Sequence, residues 1–588
     1  MSEWLQIIMK RKIYFDKGNL HLNYEVREQV AAELEVKQED IKSIIMCPQC
    51  NKQLNNTELN KNNKVCSHCN YHFRMNCMER LNMIFDSESI ELFDENLVSC
   101  NSINFPNYDE KLEKLKEKLE IKEAVITGRG NVLDNEIYFG IMDYRFIMGS
   151  MGAAVGEKLT RMIERATKRN KNIIIFSSSG GARMQEGMIS LYQMAKVVAA
   201  IQKHSEKGLL YISVLTDPTT GGVLASFASI GDIIIAEPNA TIGFAGKRVI
   251  KNTLKEKISD NFQSSQFHLK NGHIDIICNR ENLKKTLSDI IKLYSKKVHD
   301  KKIYSKKCEQ IYRDNIYENV KPYISSWEKV KLARHPNRPN FKDYIDNIFD
   351  NFIELHGDRI SNDDQAIVTG IGYIDNIPVT VILSAKGKNL DENIVRNFGM
   401  ARPEGYRKVT RISKLSEKFG LPIICFIDTP GAHCGIEAEI HGQGEAIANS
   451  IKNFTRLNVP IISIITGEGG SGGALATGVA DWIFIMENSI YSVISPEGCS
   501  SILFKDPTKF NEVSEYLKLT ADELIKLKIV DEIIPEAIGD SNIDTRLLYD
   551  YMRVKIYNKL IDLMTINSDT LLKLRYDKFR DQGIFLEL

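Results

Sequence analysis

The sequence predicts an α/β protein built as two tandem copies of one domain, with a small four-cysteine ribbon in front. Three observations carry this. Short motifs of residues 124–223 recur in the same order about 250 residues later. Within each copy, apolar β-rich runs end in glycine turns and lead into helical stretches, which is the pattern of α/β folds with their sites at strand ends. Ahead of both copies stands C-x2-C-x15-C-x2-C, from Cys47 to Cys69.

The repeat is read from four matches. Ala124-Val125-Ile126-Thr127-Gly128-Arg129-Gly130 corresponds to Ala366-Ile367-Val368-Thr369-Gly370-Ile371-Gly372, and Lys158-Leu159-Thr160-Arg161 to Lys408-Val409-Thr410-Arg411. Phe176 to Ala182 corresponds to Phe426 to Ala432, and Thr220-Gly221-Gly222-Val223 to Ser471-Gly472-Gly473-Ala474. The offsets are 242, 250, 250 and 251 residues. A period so long means a duplicated globular domain, because stacked repeats have periods of about 20–50 residues.

Taken in order, residues 1–40 form a mixed, charged N-terminal segment, and residues 41–80 form the ribbon. Each C-x2-C knuckle puts two thiolates on one side of a tight turn, so Cys47, Cys50, Cys66 and Cys69 are the expected ligands of one closed, structural Zn2+. His68 and His72 are surplus to that site and are read as surface residues. Residues 81–280 make the first α/β domain. A helix is expected near 110–120, strands at Ala124–Ile126, Ile137–Ile141 and Tyr144–Met148, and a helix from Met148-Gly149-Ser150-Met151-Gly152 to about Lys168. Then come a strand Ile173–Ser177, a helix from about Gln185 to Lys203, a strand Tyr211–Leu215, a further helix after Gly222, and strands Ile233–Ala236 and Ala240–Phe244. Residues 281–325, with four Lys-Lys pairs, read as linker plus helix. Residues 326–588 hold the second domain and a helical tail. Its centre is Val459 to Thr466, Gly467-Glu468-Gly469-Gly470-Ser471-Gly472-Gly473, and a helix start at Ala474. Such a strand–glycine–helix stretch presents unpaired N–H groups to an anion.

Bulk numbers narrow the function. The 588 residues hold 77 Lys+Arg against 77 Asp+Glu, so there is no overall basic footprint for nucleic acid. Nucleic-acid binding by the ribbon therefore rests only on its mildly basic surroundings. No apolar run approaches a membrane span and the N-terminus lacks a signal-peptide pattern. Eleven cysteines, four of them clustered, suit metal ligation plus free thiols. A cytoplasmic protein is expected.

The first copy, with Ser179 to Glu186, Leu215 to Val223 and the cysteine ribbon, resembles the β subunit of bacterial acetyl-CoA carboxylase carboxyltransferase. The second, with Leu332 to Pro339, Arg396 to Met400, Pro403 to Lys408, Gly467 to Ala476 and Tyr491 to Cys499, resembles its α subunit. The resemblance implies two crotonase-like ββα-superhelix domains in one chain, β half first. It departs from the family pattern at Ser384-Ala385-Lys386-Gly387-Lys388, at His433 and Cys434, and in a shortened helical region before the second copy.

The resemblance also implies a reaction. A carboxyl group would pass from carboxybiotin, held on a biotin carboxyl carrier protein, to acetyl-CoA, giving malonyl-CoA for fatty acid biosynthesis. Biotin carboxylase is the implied further partner, and a homodimer with sites between unlike halves the implied assembly. Two oxyanions develop in this chemistry, one on the thioester and one on the biotin ureido group, and preorganised backbone donors suit both. The candidates are Gly181, Ala182, Gly221 and Gly222 in copy one, and Gly431, Ala432, Gly472 and Gly473 in copy two. Ser178, Ser179 and Ser471 lack nucleophile-elbow spacing, and Glu186, Glu439 and His433 are read as structural or surface groups. The alternatives are transfer to another acyl-CoA, or a biotin-independent hydratase or thioesterase.

Overall fold

The computed structural model describes residues 15–16, 19–20, 44–245, 259, 261–295, 324–536 and 545–583. Most of the 1–40 segment, and residues 296–323 of the lysine-rich stretch, lie outside the described residues.

The ribbon contributes a two-stranded hairpin, β1 (Ile44–Met46) and β2 (Gln53–Asn55). The first domain follows with α1 (Cys77–Ile84), β3 (Glu91–Phe93), α2 (Tyr108–Leu119), β4 (Val125–Val132), β5 (Asn135–Met142), α3 (Ala153–Lys168) and β6 (Ile173–Ser179). It continues with α4 (Gly187–Glu206), β7 (Tyr211–Thr220), β8 (Ile233–Ala236), β9 (Ile242–Gly243), β10 (Ile276–Ile277) and α5 (Arg280–Tyr294). The second domain has α6 (Ser326–Ala333), α7 (Phe341–Ile348), β11 (Asp350–Glu354), β12 (Ile367–Ile374), β13 (Ile377–Ser384), α8 (Pro403–Phe419) and β14 (Ile423–Thr429). After it come α9 (Gln443–Arg456), β15 (Ile461–Gly470), α10 (Ser471–Gly478), β16 (Trp482–Met486), β17 (Ile490–Ser492) and β18 (Glu532–Ile534), with α11 (Thr545–Met564) and α12 (Ser568–Arg580) as the tail.

The two sheets have one topology. The first runs β10-β8-β7-β6-β5-β4-β3 with β9 beside β7, and the second runs β18-β16-β15-β14-β13-β12-β11 with β17 beside β15. In both, the antiparallel hairpin leads into parallel strands through a crossover helix. The central parallel strands are buried on both faces, as in β6, where all seven residues are buried. Continuous apolar runs such as Ile173-Ile174-Ile175-Phe176 follow from that double burial. The crossover helix α3 turns Val155, Leu159, Met162, Ile163 and Ala166 inward at helical spacing.

The equivalences also resolve the repeat. The hairpin strands match at 242 residues, and α3, β6 and β7 match α8, β14 and β15 at 250, so copy two carries eight more residues between β13 and α8. They include the short helix Leu390–Val395. Both copies then make a 3-10 turn at matched positions, Ile147–Gly149 and Asn397–Gly399.

Two expected elements differ. Tyr144–Met148 is not a strand: the Asp143 carboxylate accepts from the Arg145 N–H at 3.0 Å, and the chain turns into that 3-10 segment. No α-helix follows Gly222; Gly221–Val223 and Phe227–Ser229 are separate 3-10 turns. There the Ser226 and Ser229 hydroxyls donate to the Gly222 and Leu224 carbonyls, both at 2.6 Å, taking acceptors that a helix would use.

The halves share one apolar cluster. Ile291 and Tyr294 of α5 meet Leu355, Ile412, Leu415 and Phe419 of copy two, with the Tyr294 and Phe419 rings 4.5 Å apart. Asp275, fully buried, pairs with Arg359 and Arg411, and Lys418 pairs with Asp232 at 2.6 Å. Helix α5, beginning one residue before the stretch read as linker plus helix, buries its Leu283, Leu287 and Ile290 in the core of copy one.

Candidate active site and cysteine cluster

Each copy brings a strand end against a strand–helix junction. In copy one Gly181 has φ +118° and its N–H donates to Ser179 Oγ at 3.0 Å; in copy two Gly431 has φ +147° and its N–H donates to Thr429 Oγ1 at 3.1 Å. Those glycine N–H groups are occupied. The next residues, Ala182 and Ala432, have N–H groups without an acceptor among the described residues. The junction lies directly opposite. A Cβ on Gly181 would fall 3.4 Å from the Gly222 nitrogen, and one on Gly473 would fall 2.5 Å from the Ala432 nitrogen.

The strand register shifts the last motif match by one residue. Ser179 pairs with Thr219 and Thr429 with Gly469, so Gly222 is equivalent to Gly472, and Gly221 to Ser471. Backbone conformation agrees, because Gly221 (φ +68°) and Ser471 (φ +51°) are both left-handed. Gly472 and Gly473 lie in the first turn of α10, where N–H groups have no helical acceptor.

Buried charges, which sequence reasoning missed, brace both strand ends. Behind Ala182 lies Arg183, fully buried and paired with Glu123 and Glu186, its Nη2 also donating to the Ser150 carbonyl at 2.8 Å. Burial opposes the charge on Glu123, but Arg183 outweighs it and holds that carboxyl below the usual range. Glu186 also accepts from Tyr108 Oη at 2.7 Å and from the Ala153 N–H at 2.6 Å. Behind Gly467 to Gly470, Lys386 bridges Asp428 (2.7 Å) and Glu468 (2.9 Å), and Arg334 binds Glu468 and Glu497. Burial disfavours the Lys386 ammonium, yet the two carboxylates raise its pKa above the ordinary lysine value. Lys386 thus gives the divergent Ser384–Lys388 stretch a place in this brace. The signals were present as Arg183 directly after Gly181-Ala182 and as Glu468 inside the glycine run, but sequence does not show that such charges are buried.

The tempting side chains do not assemble into a nucleophile or acid pair. Ser178 and Ser179 are buried, and Ser471 and Glu439 are exposed. His433 is fixed through its backbone, its N–H donating to the Ala401 carbonyl and its carbonyl accepting from Gln443.

The four ribbon cysteines converge, all Sγ atoms lying within 4.8 Å of one another, with Cys47–Cys69 at 3.5 Å and Cys50–Cys66 at 3.8 Å. A tetrahedral ion with Zn–S bonds of about 2.3 Å sets sulfurs about 3.8 Å apart, so the cluster fits Zn2+. His68 is exposed as expected. His72 is buried instead, packed beside Arg280 and Glu237 where the ribbon meets the body, and burial lowers its pKa to about 4.

Comparison with known proteins agrees with this architecture. A solved structure of transcarboxylase 12S, with methylmalonyl-coenzyme A and methylmalonic acid bound, has the same fold, with TM-score 0.66 at 19% identity over 92% of this chain and 97% of that one. The acetyl-coenzyme A carboxylase carboxyl transferase subunits beta/alpha of Clostridium tetani are 49% identical over 541 residues, covering 91% of this chain and 92% of theirs. Those of Natranaerobius thermophilus are 48% identical over 558 residues. The family model described as acetyl co-enzyme A carboxylase carboxyltransferase-like matches residues 275–583. The tandem α/β domains have the fold of that transcarboxylase, and the relatives about 49% identical over nine-tenths of the chain make it an enzyme of the carboxyltransferase class. Within that class, the chain belongs to the acetyl-CoA carboxylase carboxyltransferase family, in the form that joins β-type and α-type halves in one polypeptide.

Proposed function

We propose that this chain transfers the carboxyl group of carboxybiotin, carried in trans on a biotin carboxyl carrier protein, to acetyl-CoA, forming malonyl-CoA. The observation that carries the reading is the same strand-end and junction donor arrangement in each copy: two sites for a reaction with two developing oxyanions. In copy one, Ala182 N–H and the Gly221–Gly222 backbone meet the thioester oxygen, and Gly181 shapes the turn. In copy two, Ala432 N–H and the Gly472–Gly473 backbone meet the ureido oxygen, with Gly431 in the shaping role. Each such donor contributes about 2.7–4 kcal/mol to transition-state stabilisation. No side-chain base is assigned, because the ureido nitrogen released from its carboxyl group takes the α-proton of the thioester.

Cys47, Cys50, Cys66 and Cys69 hold a structural Zn2+ that closes the ribbon and takes no part in the transfer. The working division of the chain is a segment 1–40, ribbon 41–80, acyl-CoA half 81–280, connecting segment 281–325 and biotin half 326–588. The protein works in the cytoplasm with biotin carboxylase and the carrier, as a homodimer that sets the β-type half of one protomer against the α-type half of the other.

The test is malonyl-CoA decarboxylation with and without added biotin or biotinyl carrier. Strict dependence is expected. Turnover of acyl-CoA without biotin would replace this reading with a hydratase or thioesterase, and activity on a longer acyl-CoA alone would replace the substrate.

A further inference from the structure

Copy one contains a cavity of about 480 Å3, within the roughly 300–1,000 Å3 of small-ligand pockets. Its apolar walls come from Leu92, Phe93, Leu119, Ile121, Val125 and Ile126. Lys158 of α3 also lines it and is only 4% exposed. Lys158 Nζ makes one long hydrogen bond, 3.3 Å to the Val125 carbonyl, and pairs with no carboxylate among the described residues. Burial lowers its pKa against the more distant pull of Glu123, Asp94 and Glu95, and a buried ammonium with no carboxylate in direct contact is costly.

Copy two shows the same position with its charge paired. The equivalent lysine, 250 residues on, is Lys408, and its Nζ lies 2.6 Å from Asp363 Oδ1 and 2.8 Å from the Asp364 carbonyl. By the 242-residue hairpin offset, Asp363 corresponds to Ile121. Copy one has the lysine, an isoleucine where copy two has the carboxylate, and a cavity beside it.

We propose that this cavity binds a small carboxylic acid with an apolar tail, its carboxylate taking at Lys158 the place that Asp363 takes at Lys408. The internal precedent is a carboxylate, and the apolar part of the lining, from Leu92 to Ile126, suits a hydrocarbon. A doubly charged phosphate head is disfavoured by Glu95 and Glu120, exposed carboxylates lining the same cavity. Arg145, another lining residue, is already committed to Asp143. Glu123 lines the cavity too and grips Arg183, the residue after Ala182. An occupant therefore sits one ion pair from the copy-one glycine site.

The test is calorimetric titration of the full-length protein with octanoate. Binding at one site is expected, weakened at least about tenfold by Lys158→Met, as for loss of a charge-assisted pair. Ile121→Asp, which rebuilds the copy-two pair inside copy one, should weaken it as much. A thermal melt establishes that each variant is folded; if Lys158→Met is not, Ile121→Asp, which supplies the missing counter-ion, decides. The proposal is overturned if octanoate fails to bind the wild-type protein, if it binds both folded variants as tightly as wild type, or if inorganic phosphate occupies the Lys158 site in its place.

Discussion

His204 of α4 is fully buried, with Nδ1 2.9 Å from Thr167 Oγ1 and Nε2 3.3 Å from the Leu210 carbonyl. Burial lowers its pKa to about 4. The unfolded chain takes up this proton near pH 6.5 and the folded chain only near 4, so protons favour unfolding in that window. Stability from this group is whole above about pH 6.5 and falls as pH drops towards 4, by about 3 kcal/mol at about 1.4 kcal/mol per unit. His204→Gln should flatten the dependence of denaturation free energy on pH between about 7 and 4; a parallel decline in both proteins would place the acid sensitivity elsewhere. At this scale sequence is a partial guide. The candidate glycines could be picked out, but not that Gly181 and Gly431 spend their N–H groups on Ser179 and Thr429. The burial of His72 depends on where the ribbon docks, and no local pattern records that.

Among the elements, the runs that were easy to read are those whose pattern follows directly from burial. Ile173 to Phe176 and Ile461 to Ile465 are strands because central parallel strands are apolar on both faces. The helix expected after Gly222 fails because serine hydroxyls compete for its carbonyls, a contest decided by geometry. Long-range polar joints are less legible still. Glu237 follows β8 and is 2% exposed, and it binds Arg80 of α1 at 2.8 Å and Arg280 of α5 at 2.8 Å. Burial opposes its charge, yet the two guanidinium groups hold its carboxyl far below the usual range. Arg280 also donates to the Asn63 and Lys64 carbonyls, tying the ribbon to the body. Glu237→Gln strands two buried cations and should cost about 3–5 kcal/mol in chemical denaturation; a loss under about 1 kcal/mol would show the joint to be wet or weak. The ribbon should carry about one zinc per chain, lost in Cys66→Ser together with the ribbon's protection from proteolysis. Metal analysis of freshly reduced protein without zinc would refute that assignment.

At the scale of the whole molecule, duplication is what makes the chain readable, and it also shows where the copies have diverged. Equivalent positions share backbone geometry but not neighbours, so glycine substitutions can test whether the halves divide the labour. Gly473 is a poor probe: a Cβ there would press on backbone, 2.5 Å from the Ala432 nitrogen and 2.7 Å from the Gly431 carbonyl carbon. The equivalent pair Gly222 and Gly472 is better. A Cβ on Gly472 would meet only Ile447 Cγ2 at 3.8 Å, and one on Gly222 would meet the flexible end of Met194 at 2.8 Å. If copy one holds the thioester, folded Gly222→Val should lose acyl-CoA affinity in calorimetry. Folded Gly472→Val should bind acyl-CoA nearly as wild type and fail instead in biotin-dependent malonyl-CoA decarboxylation. Turnover should drop at least about 10²-fold in each, the scale of a lost oxyanion donor. The buried Asp275–Arg359–Arg411 cluster and the shared apolar core fix the halves to each other, so indirect damage would spread across both. Equal loss of acyl-CoA affinity in the two folded variants would therefore mean that the thioester is not confined to copy one.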